Sequence, residues 1–241
     1  MNTSLFSRKY SALEIKDIVV CGVQRSGSTL LFNMVNEVVH SKPQLLDTYF
    51  ENERDYRKIL QQERSTLVKK NHVYVPLLAK RVKQKISYGF FTHRDIRDII
   101  VSFIQLGWLK EVDDWIKNYN IKNMMYNSIL YASTPNMQII AYEDLVRKPE
   151  KVVQYIANTL EIPLTKEQIK QIVEHTSIQQ SKKDIGKEVV GQQYPYVSQY
   201  IDKHIADGKI DKWRTFLSSE DQQKLNEYCA EYLDFFGYSK N

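Results

Sequence analysis

The fold follows from one stretch near the start of the chain, Ile18-Val19-Val20-Cys21-Gly22-Val23-Gln24-Arg25-Ser26-Gly27-Ser28-Thr29. Its first six residues form an apolar run, rich in β-branched side chains, that predicts a buried strand. A polar turn with glycine follows, and from Leu30 to Val39 apolar residues recur at helical spacing. A strand, a glycine turn and a helix in this order open a parallel α/β sheet. We therefore predict a three-layer α/β/α fold around a central parallel sheet.

The turn has the spacing of a phosphate-binding loop. Gly22 to Thr29 fits the pattern G-x-x-x-x-G-x-[ST], which places backbone N–H groups and a helix N-terminus around an anion. The lysine of nucleotide-hydrolysing P-loops is missing, because Ser28 occupies its position and the loop's cation is Arg25. An ATPase or GTPase is therefore disfavoured. A strand–helix turn without a ligand is the alternative, although Gly, Ser and Thr at this spacing are costly without one.

More strands and helices are predicted further along the chain. The strands fall at Val68–Val73, Ile86–His93 and Met137–Ala141. Helices are predicted at Leu77–Lys85, Asp95–Leu106, Trp115–Tyr131 and Pro149–Leu160, with a last one from Ser219. The charged stretch Tyr49–Lys69 is predicted to be mostly an exposed helix. We expect a single domain over residues 1–241, with candidate lids at 48–65 and in the long, weakly periodic stretch 177–208.

Composition narrows the class of ligand and the compartment. The 34 Lys and Arg residues against 29 Asp and Glu give a net charge of +5. This charge permits an anionic ligand but lacks the dense basic face expected of a nucleic-acid-binding protein. Cys21 and Cys229 lie far apart and have no metal-ligand spacing around them, so neither disulfides nor a metal site are expected. The longest apolar stretch is too short to span a bilayer. We expect a cytoplasmic protein that binds neither nucleic acid nor membrane.

Two further segments place polar side chains at or near strand ends. Lys70 and His72 stand at positions i and i+2 of a predicted strand, so both point to one face. Arg94 directly follows the next buried strand, at the carboxyl edge where parallel α/β sheets bind ligands. Its guanidinium can engage phosphate through two donors, and the Ser102 hydroxyl follows about two helical turns later. The alternatives are a solvated basic pair and a solvated charged helix start.

With these segments in this order, the chain resembles the sulfotransferases that use 3′-phosphoadenosine 5′-phosphosulfate (PAPS). Residues 24–30, Gln-Arg-Ser-Gly-Ser-Thr-Leu, look like the family's P-R-S-G-S-T-L phosphate loop. Lys70-Asn71-His72 resembles its K-x-H segment. Residues 94–102 are similar to its R-[DN]-P-x-D-x-x-x-S segment, with Ile96 in place of the proline.

Two later segments extend the resemblance. Residues 141–145, Ala-Tyr-Glu-Asp-Leu, look like the family's Y-E-D-L segment at the end of a core strand. Residues 208–213 resemble the C-terminal R-K-G-x-x-G-D-W loop only in part. Ala206 and Asp207 stand where Arg and Lys are usual, and Lys212 stands at the Asp.

The resemblance implies PAPS as the donor, the desulfated nucleotide PAP as a product, and no metal. It implies that His72 is the general base and that Lys70 contacts the transferring group; Arg25 is expected to assist as a second cation. Arg94 and Ser102 would bind the 3′-phosphate, and Tyr142 would lie near the adenine. The nucleotide-binding residues expected are Arg25, Ser26, Gly27, Ser28, Thr29, Leu30, Arg94, Ser102, Tyr142, Gly208 and Lys209.

We therefore expect an enzyme that transfers a sulfuryl group from PAPS to a hydroxyl or amine of a small-molecule acceptor, such as a specialised metabolite. One alternative is a P-loop nucleotide-dependent kinase, which would bind ATP and Mg²⁺. Another is a catalytically silent nucleotide-binding module. The missing loop lysine argues against the kinase, and the Lys70/His72 pair argues against the silent module. The acceptor and the oligomeric state stay open.

Overall fold

A five-stranded parallel sheet forms the centre of the protein. The computed structural model describes residues 17–39, 49–61, 68–118, 121–177, 180 and 208–240. The strands are β1 (Asp17–Gly22), β2 (Tyr49–Phe50), β3 (Val68–Asn71), β4 (Ser87–His93) and β5 (Met137–Ala141). Their order is β2-β3-β1-β4-β5, so β1 lies between β3 and β4. The predicted parallel α/β sheet is confirmed.

Helices connect and cover the strands. They are α1 (Ser28–Val39), α2 (Glu53–Gln61), α3 (Pro76–Lys83), α4 (Ile96–Gln105), α5 (Val112–Asn118), α6 (Ile121–Ala132), α7 (Tyr142–Arg147), α8 (Pro149–Thr159), α9 (Lys166–His175), α10 (Trp213–Phe216), α11 (Ser219–Tyr228) and α12 (Ala230–Phe236). None of these described helices is long and apolar enough to cross a membrane.

The side chains of β1 alternate between two cores. Ile18 and Val20 pack into a cluster with α1, α8 and α9 on one face of the sheet. Val19 and Cys21 pack on the opposite face, against side chains of α2, α3 and α6. A parallel strand buried on both faces needs a helix layer on each side, which is why its sequence is a continuous apolar run. The predicted three layers are confirmed.

The prediction of a helix over Tyr49–Lys69 is wrong at its first residues. Tyr49 and Phe50 instead form β2, which pairs in parallel with Lys70 and Asn71 of β3. Phe50 is buried and stacks on Tyr56 of α2, with 4.6 Å between the ring centroids. Pairing and burial supplied by distant residues override the charged local pattern.

Two other boundaries differ from the sequence predictions. The helix predicted over Trp115–Tyr131 consists of two helices, α5 and α6. The two candidate lids are only partly described. The first, 48–65, contains α2, and its residues 48 and 62–65 lie outside the described residues. So do 178–179 and 181–207 of the second lid. The lids therefore stay predictions.

A buried arginine docks the C-terminal helices onto the start of α4. Arg97 donates to both carboxylate oxygens of Asp95, with an Nη2–Oδ2 distance of 2.6 Å, and its Nη1 lies 2.6 Å from Asn226 Oδ1. Its guanidinium also lies over the Trp213 ring, 3.6 Å from the centroid. A buried charge is tolerated when it is paired and hydrogen-bonded in this way. The arginine therefore holds the C-terminal helices close to the carboxyl end of β4.

Candidate active site

Four neighbouring strands end at one edge of the sheet, and a predicted site residue follows each of them. The loop 23–27 follows β1, His72 follows β3, Arg94 follows β4 and Tyr142 follows β5. The carboxyl ends of parallel strands meet at the same edge. The structure thus brings residues from four distant sequence segments into one place.

Internal hydrogen bonds close the loop between β1 and α1. The amide and the hydroxyl of Ser26 both donate to the Val23 carbonyl, at 3.1 and 2.7 Å. Thr92 Oγ1 of β4 donates to the Ser26 carbonyl at 2.7 Å. The polar groups of Ser26 therefore shape the loop. The first amides of α1, at Ser28 and Thr29, have no intrahelical acceptor and are therefore available to an anion at this end of the helix.

Gly27 is required by both backbone conformation and packing. Its φ is +87°, and a Cβ at this position would lie 2.6 Å from Cδ2 of Tyr142. We expect Gly27→Ala to lower the melting temperature clearly more than Gly107→Ala does. Gly107 is the matched control, because its φ is +73° but an added Cβ meets nothing within 4 Å. It therefore carries only the backbone cost, about 1 kcal/mol. Equal shifts in a thermal melt would contradict the packing argument.

Three cations lie around this loop. Arg25 Nε donates to Ser102 Oγ at 2.9 Å, Lys70 Nζ donates to Thr29 Oγ1 at 2.6 Å, and Arg94 Nη1 donates to the Arg25 carbonyl at 3.2 Å. Burial lowers the pKa of Arg25, and the charge of Arg94 lowers it further. Burial, with a contribution from Arg25, lowers the pKa of Lys70 to about 8. These cations repel one another, and a bound anion would relieve that repulsion.

Arg94 is held on several sides and still has an open donor. Its Nη2 donates to the Lys209 carbonyl at 3.0 Å and lies 3.4 Å from Asp98 Oδ2, while its guanidinium lies 4.1 Å from the Tyr142 ring centroid. Within the described part of the chain, its buried Nε has no hydrogen-bond partner. Buried donors without partners are rare in proteins. A phosphate beside Arg94 would satisfy this donor, so the residues present fit a phosphorylated ligand.

The start of the C-terminal segment also reaches the site. Asp98 accepts from the backbone amide of Asp211 at 2.9 Å, which fixes the turn that precedes α10. Gly208 in this turn has a positive φ of 76°, and the neighbouring Lys209 carbonyl bonds to Arg94. Gly208 and Lys209 therefore lie at the predicted site, whereas residues 206–207 lie outside the described residues.

His72 is held in one tautomer. Its Nδ1 bonds to the Gly22 carbonyl, and since a carbonyl only accepts, Nδ1 carries the proton and Nε2 carries the lone pair. Burial lowers the pKa of His72 to about 3, and the charge of Lys70 adds to this effect. The ring is neutral at neutral pH and can accept a proton at Nε2. The alternative of a solvated basic pair is wrong, because Lys70 is 5% exposed and Lys69 is buried against Asp17.

Tyr142 packs against the loop, and Leu30 packs into the core. Tyr142 is 4% exposed and contacts both Gly27 and the Arg94 guanidinium. Leu30, in the first turn of α1, is partly buried and packs against the core cluster. Contact of Tyr142 with adenine and of Leu30 with the nucleotide stay predictions.

Some residues that shape the site are not recognisable as such in the sequence. Tyr232 of α12 donates from its hydroxyl to the Arg94 carbonyl at 3.0 Å. Thr92 closes the loop, and Asp98 holds the C-terminal turn. Asp98 is the exception, because it stands four residues after Arg94, a spacing that allows contact where a helix begins. No local pattern points to Tyr232, since 138 residues separate it from its partner.

Fold and site together define an α/β protein with a loop between β1 and α1 that is surrounded by cations and lies beside a neutral histidine. A family model described as "Sulfotransferase domain" matches residues 15–237. The chain therefore belongs to the sulfotransferase family. This confirms the enzyme class expected from the motifs, a sulfotransferase that uses PAPS as its donor.

Solved structures with the same fold include other sulfotransferases. Mouse sulfotransferase SULT7A1, complexed with PAP, superposes with a TM-score of 0.68 at 16% identity, over 91% of this chain and 85% of that one. Retinol dehydratase in complex with androsterone and PAP gives a TM-score of 0.57 at 18% identity, over 92% and 81%. Its complex with retinol and PAP gives 0.56 at 18% identity, over 92% and 82%.

Proposed function

We propose that this chain moves the sulfuryl group of PAPS to a hydroxyl or amine of a small-molecule acceptor in the cytoplasm. The observation that carries the proposal is a cluster of three cations around the N-terminus of α1, beside the neutral His72. Lys70 and Arg94 are buried, and Arg25 is partly buried. PAPS carries negative charge at both its 5′ and 3′ ends, which matches cations spread along one sheet edge. A nucleotide with a single charged end would leave Arg94 without a phosphate.

The residues divide between the two ends of the nucleotide. The amides of Ser28 and Thr29 at the start of α1 would hold the 5′-phosphosulfate, with their hydroxyls assisting. Arg94 would hold the 3′-phosphate through its open Nε, together with Ser102 from α4. The backbone of Gly208 and Lys209 would lie beside the 3′-phosphate, because the Lys209 carbonyl already bonds to Arg94.

The chemical roles follow from the state of each side chain. When bound, PAPS supplies a sulfuryl group attached to a phosphate leaving group. His72 Nε2 takes the proton of the acceptor, while its Nδ1–H stays on the Gly22 carbonyl. Lys70 and Arg25 are fixed cations that stabilise negative charge developing beside the loop. Because both are already held by hydrogen bonds, little reorganisation is needed during the reaction.

The lowered pKa of Lys70 predicts how PAP binding depends on pH. The folded pKa is about 8 against an ordinary value of 10.5, so the lysine loses its proton as the pH rises through about 8. PAP binds the charged form better, and its affinity should fall above about pH 8 by up to ten-fold per pH unit. Calorimetric titrations from about pH 7 to 9.5 measure this change. Lys70→Arg should give a flat profile, since arginine stays charged. The same decline in both proteins would contradict the assignment.

Two experiments separate the proposed function from its alternatives. Two thermal-shift titrations are compared, one with PAP and one with ATP together with Mg²⁺. PAP should raise the melting temperature and ATP with Mg²⁺ should not; the opposite result would favour a kinase. Incubation with PAPS labelled in the sulfate and a panel of phenols, alcohols and amines should then yield a labelled product. Tight PAP binding without transfer to any acceptor would favour a silent nucleotide-binding module.

The surroundings of His72 favour an acceptor with an apolar body. Val73 follows the base directly and is 43% exposed, and Tyr74 comes next. Retinol dehydratase, which shares the fold, is found with retinol and with androsterone, both of them hydroxylated and largely apolar. The acceptor panel should therefore include apolar alcohols beside phenols and amines.

A further inference from the structure

A single buried hydroxyl contacts the chain on both sides of His72. Tyr131 lies on α6 and is 2% exposed. Its Oη accepts a hydrogen bond from the Val75 amide at 3.0 Å. The same oxygen lies 2.9 Å from the Val73 carbonyl and 3.0 Å from Asn71 Oδ1, and its proton serves these two acceptors. One side chain from another helix therefore ties down the residues that flank the base.

The segment that carries His72 lies beyond the paired part of β3. The pairing of β3 with β1 ends at Asn71, opposite Cys21, and α3 begins only at Pro76. Between them His72 lies in a bend, where the ladder of the sheet no longer fixes the backbone. Tyr131 also belongs to the same buried cluster as Cys21, which stands directly before the glycine whose carbonyl orients the imidazole. Tyr131 thus lies beside both strands that position the histidine.

We propose that Tyr131 is a positioning residue for His72, whose buried hydroxyl holds the bend 71–75 so that Nε2 stays aimed at the acceptor. This inference rests on the proposed role of His72 as the base. Phenylalanine at position 131 would keep the ring in place against Phe91 and Tyr74, at centroid distances of 5.8 and 4.9 Å. It would leave the buried Val75 amide without its partner, a loss that the bend can relieve only by moving.

The expected result is a loss of turnover without a loss of nucleotide affinity. Tyr131→Phe should lower kcat by on the order of ten-fold, below the hundred-fold that a misplacement of about 1 Å can cost. The Kd for PAP should stay within about two-fold, because Arg94 and the loop lie on other elements and Lys70 is fixed by the pairing of β3 with β1. Rates are measured as PAP formation with an acceptor identified in the panel. Should Tyr131→Phe fail to fold, Asn71→Ala removes one of the same contacts from the other side and should also lower kcat with PAP affinity retained.

Tyr56→Phe is the matched control. Tyr56 is as buried as Tyr131, and its hydroxyl bonds to Asp17 at the amino end of β1, the end opposite the site. The control variant loses a buried hydroxyl of the same kind, so its thermal stability should fall, and any change in kcat should be smaller than that of Tyr131→Phe. A kcat of Tyr131→Phe equal to that of Tyr56→Phe would overturn the proposal.

A double variant separates positioning from a general loss of structure. If Tyr131 acts through His72, adding Tyr131→Phe to His72→Ala should lower the residual rate by less than about two-fold. A full ten-fold further loss would overturn the positioning role. A fully active His72→Ala variant would instead overturn the proposed base, whatever Tyr131→Phe does.

The ¹⁵N signals of the His72 ring give a readout that needs no acceptor. These signals should shift or broaden in Tyr131→Phe and stay unchanged in Tyr56→Phe. Unchanged signals in both variants would count against the proposal.

Discussion

Replacing His72 by alanine should lower kcat by about a thousand-fold, in the middle of the range for a general base. The reason is that the variant removes the neutral imidazole whose Nε2 lone pair accepts the acceptor's proton. The Kd for PAP should change by no more than about two-fold, because no cation of the nucleotide site is lost. Initial rates of PAP formation and calorimetric PAP titrations measure the two quantities.

His175→Ala is the control for loss of a histidine. This side chain on α9 is 62% exposed and lies 3.9 Å from Glu37 Oε2, on a helix that contributes no residue to the site. Its kcat should equal that of the wild type. Near-wild-type turnover of His72→Ala, with PAP bound normally, would refute the assignment of the base.

The same assignment predicts the pH profile. A folded pKa of about 3 means that His72 is unprotonated over the whole neutral range. The profile of kcat/KM should therefore show no acid limb with a midpoint near 6.5, the ordinary pKa of histidine. The ring would gain a proton only as the pH falls towards 3. An acid limb near 6.5 that disappears in an otherwise active His72 variant would contradict this burial effect.

The second large effect is expected at Arg94. Arg94→Met should raise the Kd for PAP by on the order of a hundred-fold, close to the upper value for one hydrogen bond between charged groups. The Kd for adenosine 5′-monophosphate, which lacks the 3′-phosphate, should rise much less. The ratio of the two Kd values, measured by calorimetry, reports the 3′-phosphate contact separately from any general loosening of the loop.

The exposed Arg214 supplies the matched control. Its side chain is 41% exposed on α10 and pairs with Asp211 rather than with any residue of the loop. Arg214→Met removes one positive charge from the protein and should leave both Kd values unchanged. Equal losses of PAP and 5′-monophosphate affinity in Arg94→Met would show that Arg94 does not read the 3′-phosphate.

The parts of the site that are predictable from sequence are those set by local periodicity and by strand ends. The apolar run before Gly22 predicts β1, and parallel pairing then places Arg94 and His72 at the same edge. The i and i+2 spacing of Lys70 and His72 matches their common side in the structure, where the charge of Lys70 acts on the His72 ring. These inferences need only the geometry of a strand and of a parallel sheet.

The remaining contacts depend on residues brought together by the fold. Tyr131 and Tyr232 bond to segments about sixty and 138 residues away, and each looks like an ordinary core tyrosine in its own helix. Phe50 joins the sheet only because β3 offers an edge. No pattern in the neighbouring sequence carries such long-range information.

The proposed contacts of Arg94 and Ser102 with the 3′-phosphate, together called the arginine clamp, have a consequence for product release. Arg94 and Ser102 are proposed to hold a phosphate that the reaction leaves unchanged. Any affinity gained there is the same for donor and product, so it lowers the donor concentration needed without speeding the chemical step. The more tightly this clamp holds PAPS, the more slowly PAP departs and the earlier turnover becomes limited by dissociation. The turnover rate of this protein should therefore depend on how low the concentration of free PAP is kept around it.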